Sequence, residues 1–147
     1  MHPTAARFQQ RLHERGLDVE VQVLPDSTRT AGEAAAAVGC EVGQIVKSLV
    51  FMRDGEPVMV LCAGDRRVAA GRLGLTPASA DQARAATGYS IGGIPPLGHD
   101  RPLTTVIDED LLRFERIWAA AGHPNAVFGL TPAELVAMTG GRVAQVA

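Results

Sequence analysis

One lysine stands among thirteen arginines in this chain of 147 residues. It is Lys47, set in the segment GQIVKSLVF. The alternating positions around it are apolar on both sides, Ile45, Leu49 and Phe51 against Val46, Val50 and Met52, which predicts a strand buried on both faces. A lysine is almost never fully buried without a partner. Its ammonium is a compact point charge with rotatable donors, whereas a guanidinium is a wide planar fork. A chain that otherwise uses arginine, yet keeps an ammonium here, is expected to use it in a pocket, on one oxygen of a ligand. The competing reading is a strand-end lysine whose stem lies along apolar surface while its charge reaches water.

The second candidate is the run Gly92-Gly93-Ile94-Pro95-Pro96. Consecutive glycines let backbone N–H groups converge on an anion, and the two prolines stiffen the end of the loop. Such a loop suits an oxyanion or a phosphate, although a tight turn would account for the same residues. His99 lies in the same Gly/Pro-rich stretch, Tyr89 to Leu103, either touching a ligand or simply satisfied in place. A structureless connection of that length in a small domain is usually functional. Arg7, Arg11 and Arg15 recur every four residues opposite Phe8 and Leu12, which reads as a solvated helical face, with contact to RNA phosphates as the alternative. No pair among His2, His13, His99 and His123 has metal-ligand spacing, there is no HExxH or GxSxG, and Cys40 and Cys62 make no CxxC. No metal or cofactor is therefore expected. The acidic run Asp108-Glu109-Asp110 falls at a helix start, where carboxylates favour the dipole.

Those residues need a scaffold, and the punctuation of the sequence supplies one. Thr4 to Gly16 predicts an amphipathic helix with Ala5, Phe8 and Leu12 inward. Val19, Val21 and Val23 alternate as a half-buried strand. Thr30 with Glu33, Ser79 with Gln82 and Thr131 with Glu134 are three capping boxes, each opening a short helix. Ile45 to Arg53 and Pro57 to Cys62 read as strands joined at Asp54-Gly55. Thr104 to Ile107, Ile117 to Ala121, Ala126 to Leu130 and Val143 to Val146 complete the strands, with a short helix capped by Asp108 between the first two. Short strands and helices without regular βαβ alternation predict an α+β fold with a mixed sheet.

Composition narrows the function classes. A net charge of −2 excludes a nucleic-acid binder held by bulk positive charge, so any RNA must be met by a local patch, a pocket or a partner. Hydrophobic residues make up 46% and aromatics only 4%, which points to a core of Val, Leu, Ile and Ala. No apolar run approaches a membrane span, and MHPTAARFQQ has no signal-peptide apolar region. Two isolated cysteines fit a reducing, cytoplasmic setting. The length fits one domain, residues 1–147.

Taken together, GQIVKSLVF, the upstream STRTAGEAAAAVG and the downstream GYSIGGIPPLGH resemble the YbaK/ProX family of trans-editing proteins, similar to the insertion domain of bacterial prolyl-tRNA synthetases. The resemblance runs from about Leu24 to the C-terminus, including TPAELVAMTG. It implies a mixed, partly barrel-like sheet flanked by short helices. It also implies deacylation of tRNA carrying a wrong small amino acid, typically of the Cys-tRNA(Pro) or Ala-tRNA(Pro) type, with Ser- or Thr-tRNAs for some members; the missing ligand spacing makes it metal-independent. A fold kept for binding aminoacyl-tRNA or a synthetase, without catalysis, is the alternative. The family's pocket lysine falls on Lys47 and its GxxxP loop on Gly92 through Pro96. In this reading Lys47, Gly92 and Gly93 act on the ester, while Thr28, Thr30, Ile94, Pro95, Pro96 and His99 contact substrate. The implied partners are the acceptor end of aminoacyl-tRNA and prolyl-tRNA synthetase, without DNA or membrane. The loop here has proline where some relatives carry serine or threonine.

Overall fold

The computed structural model describes residues 1–26 and 28–147, so Ser27, which opens the STRTAGEAAAAVG segment, lies outside the described residues. Along the chain run α1 (Pro3–Glu14), β1 (Gln22–Val23), α2 (Ala31–Val38), β2 (Ile45–Arg53), β3 (Glu56–Ala63), β4 (Thr76–Pro77), α3 (Ala80–Thr87), β5 (Thr104–Asp108), β6 (Ile117–Ala120), β7 (Ala126–Leu130), α4 (Pro132–Thr139) and β8 (Arg142–Ala144). Short 3-10 helices cover Val42–Gln44 and Glu109–Arg113.

All three capping boxes form as expected: Thr30, Ser79 and Thr131 each accept from the backbone N–H three residues on, and Glu33, Gln82 and Glu134 reach back to the cap. Asp54 and Gly55 both adopt positive φ, 50° and 78°, the conformation a two-residue hairpin turn demands between β2 and β3. The sheet is mixed, with strand order β1-β7-β6-β2-β3-β5-β8 and β4 attached to β2. β2–β3, β6–β7 and β1–β7 are antiparallel, while β2–β6, β3–β5 and β5–β8 are parallel.

Alternation along β2 and β3 sorts two apolar layers. Val46 and Val50 with Met59, Leu61 and Ala63 face the larger core, which α1 closes with Ala5, Phe8 and Leu12. Burying Phe8 and Leu12 completely is worth about 1.5–3 kcal/mol each, which secures α1 against the sheet. Phe51, Val58, Val60 and Cys62 face a second layer with Leu75, Val106 and Val146. A third small cluster joins Ala34 and Ala35 of α2 to Ile45 and Trp118.

The first and last strands are shorter than the alternating pattern predicts. Val21 N–H is taken by the Gln9 side chain at 3.4 Å, so pairing with β7 begins only at Gln22. At the other end Val146 O accepts from Ala69 N–H at 2.8 Å, which draws the chain away from β5 after Ala144.

β2 holds the feature that matters most for a site. One side pairs with β3 along eight residues, from Val46 to Arg53. On its other side, β6 pairs only at Ile45 and Val46, and β4 only at Phe51 and Met52. The stretch between, around Lys47 to Leu49, is an open strand edge inside the sheet.

Candidate functional site

A cleft of about 660 Å³ lies against that open edge, within the range typical of small-molecule sites. β2 contributes every residue from Ile45 to Phe51 to its wall. The segment Thr28 to Gly32 with Ala34 and Val38 of α2 lines it, as do Ile91, Gly92 and Ile94, and Arg29 stands beside Gly92. Trp118, Ala119 and Ala120 of β6 close one end, and Pro77 of β4 with Ala78 the opposite end. The walls are mostly apolar, with few polar groups among them, and those few decide what the cleft can bind.

Lys47 is half-buried, not fully enclosed. Its ammonium donates to the backbone carbonyl of Arg66, which holds the side chain along the sheet. Cys62 is its cross-strand partner. That thiol is fully buried and its pKa is pushed up to about 12, chiefly by burial, with the Lys47 ammonium opposing; it is no nucleophile at neutral pH. Behind this pair sits Asp108, 1% exposed. It accepts from Ala63 N–H at 3.0 Å and Asp110 N–H at 3.0 Å, and its carboxylate lies 3.9 Å from Arg66 Nε. The carboxylate thus serves the backbone behind the wall, beyond the helix-start role expected from sequence.

The expected loop splits into two parts. Gly92 lines the cleft at φ +98°, a conformation that favours glycine, and its N–H has no partner among the described residues. Ile94 lines the cleft and is also buried in the larger core. Gly93 does not present a donor: its N–H donates to Ser90 O at 3.0 Å and its carbonyl accepts from Gly122 N–H at 2.9 Å. It is glycine because a Cβ would come within 2.8 Å of His123 Cα. Pro95 and Pro96 are buried outside the cleft lining. His99 also lies outside it, its Nε2 bonded to Pro95 O at 2.7 Å, so it supports the loop from behind. Burial lowers its pKa, against the opposing pull of the Pro95 carbonyl.

Thr28 and Thr30 both line the cleft, with their hydroxyls engaged in holding its rim. Thr28 donates through N–H and Oγ1 to Pro124 O, at 2.6 and 2.8 Å. Thr30 Oγ1 caps α2 and lies 3.0 Å from Glu33 Oε1. The arginine stripe of α1 is not placed at the cleft: Arg7 and Arg15 are exposed, as a solvated face requires, but Arg7 and Arg11 also reach the Gly/Pro-rich segment. Arg7 donates to Gly88 O at 2.7 Å, and Arg11 to Gly98 O at 2.9 Å and Asp100 at 2.8 Å. Both guanidiniums lie over the Tyr89 ring, so the helix clamps the root of the loop.

Two polar cleft residues, Arg29 and Ser48, take no role of their own from the sequence. Arg29 is exposed at the rim, its Nη1 3.4 Å from where a Gly92 Cβ would stand. Its position inside the STRT segment was the available signal. Ser48 also lines the cleft, and its buried hydroxyl oxygen has no hydrogen-bond partner among the described residues. Nothing in the sequence marks it except adjacency to Lys47. Among the described residues no three His, Cys, Asp or Glu side chains gather as metal ligands, and no helix is long and apolar enough to cross a membrane.

A mixed sheet with a cleft at an interrupted strand edge, lined by one lysine and by a glycine whose N–H has no partner among the described residues, defines a small-ligand site whose polar groups suit an anionic or carbonyl oxygen. Residues 25–138 match the aminoacyl-tRNA editing domain, and the chain belongs to that family. A solved structure proposed to be a trans-editing enzyme for prolyl tRNA synthetase superposes with a TM-score of 0.94 at 48% identity, covering 99% of this chain and 98% of that one. A proline--tRNA ligase of Ligilactobacillus salivarius is 30% identical over 112 residues, 71% of this chain but only 19% of the ligase. An Enterococcus faecalis protein, EbsC, proposed to be a Cys-tRNA(Pro)/Cys-tRNA(Cys) deacylase, is 26% identical over 80% of this chain and 76% of its own length.

Proposed function

We propose that the chain is a trans-editing hydrolase that deacylates tRNA mischarged with a small amino acid, of the Cys-tRNA(Pro) or Ala-tRNA(Pro) type, without a metal. The observation that carries this reading is that Lys47 and Gly92, whose N–H has no partner among the described residues, line one cleft in a chain of the editing family. The ammonium takes a phosphate or ribose oxygen of the terminal adenosine. The aminoacyl carbonyl then lies toward Gly92, whose N–H receives the oxygen that becomes negative as water adds. Removing one such donor costs about 2.7–4 kcal/mol elsewhere. The new C–O bond forms to water, the ester C–O bond breaks, and the ribose oxygen leaves with a proton. No cleft side chain is placed as a general base: His99 is outside it, and Asp108 is buried behind the wall. The substrate's own ribose hydroxyl positions the water. An aminoacyl ester is already activated, so the modest machinery suffices at about 1.4 kcal/mol per tenfold.

Arg29 at the rim is placed to meet a tRNA phosphate, the local positive charge that a net charge of −2 requires. The apolar walls distinguish side chains by volume, which is worth about 1–3 kcal/mol per methylene, so several small residues should be accepted. A prolyl-tRNA synthetase is the expected partner. The test is a deacylation panel with tRNA(Pro) charged with Ala, Cys, Ser or Pro, and with Ser- and Thr-charged cognate tRNAs, before and after EDTA. Hydrolysis of small mischarged esters on tRNA(Pro), unaffected by EDTA, is expected. Binding without hydrolysis of any ester would establish a non-catalytic module instead, and activity restored by zinc after EDTA would refute metal independence.

A further inference from the structure

We propose that Asp108, which does not line the cleft, is a positioning residue for Lys47, acting through the turn after β3. This rests on the reading of Lys47 as a site residue. The chain of contacts is continuous. Asp108 Oδ2 accepts from Ala63 N–H at 3.0 Å and lies 3.7 Å from Cys62 Sγ. Its carboxylate stands 3.9 Å from Arg66 Nε, and Arg66 Nη1 reaches Asp110 at 3.7 Å. The last residue of β3 and the side chain of Arg66 are thereby tied to one carboxylate. The carbonyl of that same Arg66 accepts from the Lys47 ammonium. The direction of the ammonium is thus set by where the turn holds that carbonyl.

Two features show that this carboxylate does more than begin a 3-10 helix. Its cap function uses one oxygen, Oδ1 toward Asp110 N–H, while the second is committed to the turn. Among the described residues Asp108 is also one of two buried polar side chains, with Thr87, and an ionised group in that position is costly unless its bonds are made. Arg66 Nε is buried without a hydrogen-bond partner among the described residues, so its attraction to Asp108 is a charge contact at longer range. The arrangement puts an acid, a guanidinium, a carbonyl and an ammonium in sequence, and only the last of them lines the cleft. A lysine has four rotatable side-chain bonds and loses entropy when fixed, so a carbonyl held still by a buried anchor is what keeps the ammonium at one place on the wall.

The composition provides the probe. Lys47 is the chain's single lysine, so protein grown with 13C,15N-lysine gives one side-chain spin system. In Asp108→Asn that signal should move toward the free-lysine position, and single-turnover deacylation should slow by about tenfold or more, with half-saturation changed far less. A double-mutant cycle separates positioning from general support. If Asp108 acts through Lys47, Asp108→Asn slows wild type but leaves Lys47→Ala almost unaffected. Should Asp108→Asn fail to fold, Arg66→Ala serves instead: its side chain is 37% exposed, its carbonyl is retained, and the Lys47 signal should move the same way. An unmoved signal in the folded variants, or equal slowing of wild type and Lys47→Ala, overturns the proposal. The parent reading fails separately, through a Lys47→Ala enzyme with full activity or a wild-type chain that hydrolyses no aminoacyl ester.

Discussion

Replacing Gly93 by alanine tests the division of labour between the two loop glycines. A Cβ there would stand 2.8 Å from His123 Cα, 2.9 Å from its N and 3.0 Å from its C, all backbone atoms. Ordinary contact begins at 3.4 Å, so the two segments must separate by 0.6 Å. Neither moves freely, because Gly93 is bonded at both ends, to Ser90 O at 3.0 Å and from Gly122 N–H at 2.9 Å. Overpacking of this kind costs about 1–3 kcal/mol, or roughly 2–12 °C of melting temperature at this size. The displaced loop carries Gly92 with it. A shift of about 1 Å can cost on the order of a hundredfold in rate, so somewhat over half of that should cost about tenfold. Gly92→Ala is the control: its Cβ meets nothing nearer than Arg29 Nη1 at 3.4 Å, and the penalty is backbone strain at φ +98°, about 1–2 kcal/mol. The checks are a thermal melt and single-turnover deacylation with enzyme in excess. Gly93→Ala with wild-type melting temperature and a rate within about twofold of wild type would refute the reasoning.

Lys47→Arg should lose about a hundredfold in single-turnover rate, and Lys47→Ala at least as much, with circular dichroism unchanged, because the fork cannot sit where the point charge does; a fully active Lys47→Arg would return the residue to a solvent-reaching strand lysine. An aromatic disulfide reagent at about pH 8 should modify Cys40 alone in the folded chain and Cys62 only after denaturation, since burial keeps that thiol protonated; two rapid equivalents would contradict it. Burial holds His99 below its ordinary 6.5, so as pH falls the unfolded chain takes the proton first. Its contribution is complete above 6.5 and is lost as pH drops through the folded value. Denaturant midpoints from about pH 7 to about pH 5 should therefore fall more steeply for wild type than for His99→Gln, and parallel profiles would exclude the effect.

The features legible in the sequence are local ones. A capping box needs only residues three apart, and those opened by Thr30, Ser79 and Thr131 were visible, as was the Asp54-Gly55 turn. The mixed sheet could be inferred from how short the elements are. Features that escaped depend on partners distant in sequence. β4 is two residues including Pro77, and it is a strand only because β2 lies beside it. The Arg7 and Arg11 stripe was visible, but its partners, 81 and 87 residues away, were not. The sequence picked out GGIPP as a special backbone, yet could not say which of its glycines keeps an N–H without an internal partner. That is decided by the bond from Gly93 to Ser90 and by the approach of His123.

The interrupted edge of β2 explains why a lysine sits in a strand at all. An unpaired strand edge is a hazard, because its free N–H and C=O groups invite another strand. Extending β6 or β4 would cover the gap, but β6 leaves after pairing with Val46, and β4 carries Pro77, which has no N–H to donate. The gap is walled in by Thr28 to Gly32 and by Ile91, Gly92 and Ile94, without being paired. A strand fixes its side chains far better than a loop does, since β3 pairs with it throughout. Lys47 thus stands on a strand that β3 pairs along eight residues, at the stretch where its other edge is unpaired. Filling the gap with a regular strand would make a more stable sheet and abolish the cleft, so the interruption is itself part of the site.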